Sequence, residues 1–241
     1  MKKEVIIAMD FPDKESLINF LDQFDQKLYL KLGMEIFYKE GPSIVREVKR
    51  RGHKIFLDLK LHDIPNTVKS AMRSLACLEV DMVNLHAVGG LDMMKAGLEG
   101  LEEGTKKSGL LKRPELIAVT QLTSISQEIM NNELGIDGKI EDRILSYAGL
   151  TKKAGLDGVV CSPLESKLIH DNLGDEFLTV TPGIRFKGQD SQDQKRVCDP
   201  YMAGKLGSSY IVMGRAITRA EDPVSALKKA KEDFEGGACG K

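Results

Sequence analysis

None of the four cysteines stands in a C-x-x-C step: Cys77, Cys161, Cys198 and Cys239 are scattered along 241 residues. That spacing leaves zinc without a ligand cluster and argues against a disulfide framework in a chain of this size. Reduced thiols in a cytosolic protein are expected. A dominant charge sign is also missing, since 35 Lys plus Arg against 36 Asp plus Glu give a formal net charge of −1. No global basic field or basic arm offers itself to nucleic acid, although a few placed cations suffice for a small anionic ligand. Long apolar runs are absent as well. The stretch Val5–Met9 meets Asp10 at once, too short for a signal h-region or a membrane span. A soluble, cytoplasmic protein with no membrane partner is the expectation. Neither G-x-G-x-x-G nor a Walker A loop occurs. No composition break, linker or low-complexity tract divides the chain, so residues 1–241 read as one domain.

What is present is an alternation of short apolar runs with longer amphipathic segments. The runs are Val5–Met9, Leu28–Leu32, Lys54–Leu59, Met82–His86, Leu116–Gln121, Gly158–Cys161, Leu178–Thr181 and Tyr210–Met213. Near-continuous apolar character marks strands buried on both faces, as in a parallel sheet. Between them lie helix signals. Asp13 can cap a helix carrying Leu17, Ile18, Phe20 and Leu21. Pro42 suits a first turn, Gly52 a C′ position after Lys49–Arg51, and Asp222-Pro223 a cap followed by proline at N1. Eight such pairs predict a single-domain (β/α)8 TIM barrel, with an open doubly wound sheet as the alternative. Two stretches are long for βα connections, Thr123–Lys139 and Gly183–Gln194, and long loops in compact domains often bind ligands. The Gly-rich segment 235–241 is expected to be a flexible tail.

A barrel places its chemistry at the C-terminal ends of its strands, and ionisable residues gather there. Asp10 ends the first strand, Lys31 sits on the second, and the third carries Asp58 and Lys60, followed by His62 and Asp63. Strand alternation puts Asp58 and Lys60 on one face, with Leu57, Leu59 and Leu61 turned toward the helices. A stabilising ion-pair network is the other reading, but buried pairs are weak stabilisers and strand-end placement favours function. His62 and His86 read better as hydrogen-bonded supports than as metal ligands. Asp10, Asp58 and Asp63 could hold Mg2+, but the interleaved lysines disfavour a dication. A separate phosphate end is expected at Gly214-Arg215 after the last strand, with Arg185 and Gln194 on the seventh loop.

The stretch Asp58-Leu-Lys60-Leu-His-Asp63-Ile-Pro-Asn-Thr67 carries D-x-K-x-x-D-I-P-x-T, the central motif of the orotidine 5′-phosphate decarboxylase family, and the chain resembles that family in its bacterial form. Further marks stand in order over nearly the whole length: Ala8-Met-Asp10, Leu30-Lys31-Leu-Gly33, Asn84-Leu-His86, Gln121-Leu-Thr123-Ser124, Val160-Cys-Ser-Pro163, Thr181-Pro182-Gly-Ile-Arg185, Asp193-Gln194 and Val212-Met-Gly214-Arg215. Gln192 departs from the pattern, which commonly has a second Asp there.

The resemblance implies decarboxylation of orotidine 5′-monophosphate to uridine 5′-monophosphate in pyrimidine biosynthesis, with no cofactor and no metal. It assigns Lys60 as the proton donor to C6, within an alternating array with Lys31, Asp58 and Asp63. Asp10 and Lys31 fall on the ribose side, and Thr123 on the pyrimidine ring. Pro182, Arg185, Gln194, Gly214 and Arg215 fall on the substrate-binding set around the phosphate. It implies a homodimer in which Asp63 and Thr67 reach the partner's site. The nearest rivals are Mg2+-dependent barrels sharing D-x-K-x-x-D, a 3-keto-gulonate 6-phosphate decarboxylase or a hexulose-phosphate synthase. Ile64-Pro65-Asn66-Thr67, Gln121-Leu-Thr-Ser124 and the long Gly183–Gln194 loop speak against them. A non-catalytic nucleotide-binding barrel would leave Lys60 and its flanking carboxylates without a task.

Overall fold

In a computed structural model describing residues 3–187 and 198–239, eight parallel strands close into a barrel in chain order. They are β1 (Glu4–Ala8), β2 (Tyr29–Gly33), β3 (Lys54–Leu61), β4 (Met82–His86), β5 (Glu115–Val119), β6 (Gly158–Val160), β7 (Leu178–Thr181) and β8 (Tyr210–Met213). β8 closes on β1 through the register Glu4↔Tyr210 to Ile7↔Met213. Alternation sorts each strand. Ile6, Tyr29, Phe56, Met82, Ile117 and Tyr210 fill the barrel interior. Their neighbours Ile7, Leu30, Leu57, Val83 and Leu116 face outward into the larger core beneath the helices. Strands buried on both faces in this way explain why the runs read as continuously apolar.

The helices are α1 (Lys14–Leu21), α2 (Met34–Glu40), α3 (Pro42–Arg50), α4 (Pro65–Ala76), α5 (Gly90–Lys107), α6 (Ile140–Lys153), α7 (Pro163–Leu173), α8 (Pro200–Lys205), α9 (Arg215–Thr218) and α10 (Pro223–Cys239). Their starts follow the local chemistry. The Asp13 carboxylate accepts the Ser16 N–H at 2.8 Å, and Asp222 accepts the Ser225 N–H at 3.0 Å. Pro42 occupies the first turn of α3, and Gly52 takes the left-handed conformation beyond its end. None of the described helices is long and apolar enough to cross a membrane.

The C-terminal segment corrects part of the sequence reading. Residues 235–239 of the expected tail continue α10, and residues 240 and 241 lie outside the described residues. The glycines serve close helix packing, because a Cβ at Gly237 would overlap the Tyr201 carbonyl of α8, and one at Gly204 the Phe234 carbonyl of α10. Smaller differences occur at strand ends. β5 stops at Val119, where Thr120 turns both its N–H and its hydroxyl to the Val160 carbonyl. β3 runs on to Leu61, and its register against β4 shifts between Leu57 and Leu61.

Candidate active site

The C-terminal mouth of the barrel opens into a cavity of about 760 Å3. Nine of the sequence-predicted residues line it: Asp10, Lys31, Asp58, Lys60, Thr123, Pro182, Arg185, Gly214 and Arg215. At one wall the charges interlock. Lys60 Nζ lies 2.7 Å from Asp58 Oδ1, and Lys31 Nζ lies 3.3 Å from Asp58 Oδ2 and 3.2 Å from Asp10 Oδ1. Gly33 leaves room for this, since a Cβ there would approach Lys31 Nζ to 3.2 Å.

Burial works against the charge on Asp58, but Lys31 and Lys60 outweigh it and hold its carboxyl below the ordinary range. Burial likewise opposes the Lys31 ammonium, and Asp58 and Asp10 overcome it and raise that group above the usual lysine value. His86 behaves differently: burial, then His62 and Lys60, lower it. It faces His62 with ring centroids 5.7 Å apart. Among the described residues, no three His, Cys, Asp or Glu side chains are grouped to hold a metal ion.

Lys60 reaches Asp58 by a route that simple alternation does not describe. Its φ is +51°, a left-handed conformation costing roughly 1–2 kcal/mol for a residue with a Cβ. Its backbone N–H goes to the Asn84 side chain, 2.8 Å to Oδ1, while Asn84 Nδ2 donates to Asp58 Oδ1 at 2.7 Å. In the sequence Asn84 stood on the fourth strand and within the family mark Asn84-Leu-His86, but no role was assigned to it. The available signal was a polar residue on the inward face of an apolar strand, in step with Met82.

Arg185 and Arg215 also line the cavity, beside Gly183, Gly214 and Thr218. A short parallel bridge, Ile184 to Cys198, clips the base of the seventh loop. The Arg185 N–H donates to the Cys198 carbonyl at 3.0 Å, and the Cys198 N–H to the Gly183 carbonyl at 3.1 Å. Gln194 lies outside the described residues. The fifth loop is knitted to itself: the Gln127 amide oxygen accepts the Ile140 N–H at 2.9 Å, and its nitrogen donates to the Gly138 carbonyl at 2.8 Å. Gln121, Leu122, Thr123 and Ser124 from the start of that loop line the cavity.

The sequence matches the orotidine 5'-phosphate decarboxylase / HUMPS family over residues 3–230. The chain belongs to this family. Within the orotidine 5'-phosphate decarboxylase / HUMPS family, it is 59% identical over 237 residues to the orotidine 5'-phosphate decarboxylase of Bacillus cytotoxicus, covering 98% of this chain and 99% of that protein. It is 58% identical, with the same coverage, to the one from Bacillus cereus. The solved structure of orotidine 5'-phosphate decarboxylase from Lactobacillus acidophilus superposes with a TM-score of 0.86 at 42% identity, covering 96% of this chain and 98% of that one.

Of the predicted site residues in the family motif, Asp63 and Thr67 do not join the cavity. Asp63 and Thr67 are exposed, and the Asp63 carboxylate accepts the N–H of Ile64, itself 68% exposed. The array assembled within one chain is therefore Asp10, Lys31, Asp58 and Lys60.

Proposed function

We propose that this chain decarboxylates orotidine 5′-monophosphate to uridine 5′-monophosphate. The observation that carries the reading is the Asp58 carboxylate held between Lys31 and Lys60 on the wall of a cavity that also bears Arg185 and Arg215. One set of charges suits the reacting end of the nucleotide and the other its phosphate. The family as a whole includes other sugar-phosphate chemistry. The high identity to proteins named orotidine 5'-phosphate decarboxylase favours the pyrimidine substrate.

The chemistry follows from where the electron pair goes. When the C6–carboxyl bond breaks, CO2 departs and the pair stays on C6 in the ring plane, where the π system does not absorb it. An ammonium aimed at C6 stabilises that pair through electrostatics and then donates the proton that completes the product. Lys60 takes both roles, and water returns its proton after release. Asp58 beside the substrate carboxylate adds like-charge repulsion that lapses as CO2 leaves, a smaller contribution than stabilisation of the carbanion. Both Asp58 oxygens already face cations or the Asn84 amide, so its lone pairs serve the lysines and not a dication. The reaction needs no cofactor.

Asp10 and Lys31 take the ribose hydroxyls, Thr123 the pyrimidine ring, and Pro182, Arg185, Gln194, Gly214 and Arg215 the phosphate end. Binding energy at the phosphate, far from the breaking bond, can be spent on holding the reacting end of the nucleotide in place. The active unit is a homodimer. The exposure of Asp63 and Thr67, a few residues beyond Lys60 in the chain, supports their insertion into the partner's site. A spectrophotometric assay with orotidine 5′-monophosphate in metal-free buffer with EDTA tests the reading. Loss of substrate absorbance at an undiminished rate is expected. No turnover, or turnover that requires added Mg2+, overturns it.

A further inference from the structure

We propose that Asn84 is a positioning residue for the decarboxylation: one buried amide on β4 fixes both the backbone that carries Lys60 and the carboxylate that Lys60 faces. The inference rests on the decarboxylase reading above. Asn84 is 1% exposed and contacts two consecutive parts of the charged wall. Its Oδ1 accepts the Lys60 N–H at 2.8 Å, and its Nδ2 donates to Asp58 Oδ1 at 2.7 Å. Lys60 Nζ bonds the same carboxylate oxygen, also at 2.7 Å. A ring of contacts thus runs from the Lys60 backbone through Asn84 and Asp58 to the Lys60 ammonium.

The orientation of the amide is fixed by chemistry. A backbone N–H only donates, so the amide oxygen must face Lys60. A carboxylate only accepts, so the NH2 must face Asp58. No other side chain of this length offers one acceptor and one donor in that geometry. Aspartate keeps the acceptor but turns a second carboxylate on Asp58, and alanine offers neither.

The backbone shows why such a brace is needed. Lys60 has φ +51°, within the stretch where the β3–β4 register shifts between Leu57 and Leu61. An L residue leaves the left-handed region unless its surroundings hold it there. The Asn84 oxygen on the Lys60 N–H supplies that hold. Without it the peptide relaxes toward an extended form, and the side-chain direction at residue 60 swings with it. A displacement of about 1 Å at the reacting atom suffices to cost about 10²-fold in rate.

The test compares Asn84→Ala and Asn84→Asp with the wild-type chain. It measures kcat and KM for orotidine 5′-monophosphate, calorimetric binding of uridine 5′-monophosphate, and thermal unfolding. Both variants are expected to lose about 10²-fold in kcat while product-nucleotide affinity stays within about threefold. A residue needed only for stability would lower the unfolding temperature and leave kcat of the folded protein intact. If Asn84→Ala fails to fold, the isosteric Asn84→Asp carries the test alone. A kcat within about threefold of wild type in either folded variant overturns the proposal, as does a loss of nucleotide affinity equal to the loss of kcat. An inactive wild-type chain refutes the decarboxylase reading itself, and the role of Asn84 falls with it.

Discussion

Replacing Lys31 with methionine removes the cation that Asp58 and Asp10 share while keeping most of the side chain's length. Lys31 Nζ stands 3.3 Å from Asp58, and the two side chains are 14% and 9% exposed. At that separation and an effective dielectric near 20, the Coulomb attraction is about 5 kcal/mol. Desolvation of the ammonium cancels part of this, and breaking one side of a buried pair costs about 3–5 kcal/mol when nothing else compensates. Here Asp58 keeps Lys60 and Asn84, each at 2.7 Å, so the expected loss is about 2–3 kcal/mol. The exposed Asp10 adds little.

Equilibrium urea unfolding, read by circular dichroism at several pH values, measures that loss. Asp58 is held below its ordinary 3.8 and Lys31 above its ordinary 10.5. The stability from Asp58 is therefore complete above about pH 4 and is lost as pH falls through its folded-state value. The stability from Lys31 is complete below about pH 10 and is lost as pH rises through its folded-state value. The gap between wild type and Lys31→Met should be widest between these limits and shrink on acidification as Asp58 takes a proton. A gap at pH 7 of about 0.5 kcal/mol, the size of an exposed pair, would refute the reasoning. So would a gap that persists unchanged to the lowest pH at which both proteins stay folded.

Arg215→Ala should lower kcat/KM by about 30- to 1000-fold, equivalent to the loss of about 2–4 kcal/mol of charge-assisted phosphate contact. An unchanged kcat/KM for the nucleotide rules out that role. Gly237→Ala should destabilise the chain by about 1–3 kcal/mol, because the new methyl meets the Tyr201 carbonyl at the α8–α10 crossing. Thermal unfolding should move by several degrees while kcat holds, and an unmoved transition would show that the helices do not touch there.

The barrel was legible in the sequence because its strands are buried on both faces and several of its helices carry boundary signals of their own. Asp13, Pro42, Gly52 and Asp222 each mark a boundary where the structure has one. The charged wall was legible for a related reason: Asp10, Lys31, Asp58 and Lys60 are ionisable residues at the ends of otherwise apolar strands. Three features were not. The left-handed backbone at Lys60 leaves no trace in residue type, since lysine has no preference for that conformation. Asn84 gains its meaning only from two partners on a neighbouring strand, which one-dimensional spacing does not reveal. The glycines near the C-terminus resemble those of a loose tail, and only the helix they cross shows that they permit contact.

The most direct test of the central claim compares wild type with Lys60→Ala on orotidine 5′-monophosphate in the presence of EDTA, alongside calorimetric binding of uridine 5′-monophosphate. The account predicts full turnover for wild type, none detectable for Lys60→Ala, and measurable product binding by both. Substantial decarboxylation by the Lys60→Ala protein would contradict it, because another group would then be supplying the charge and the proton at C6.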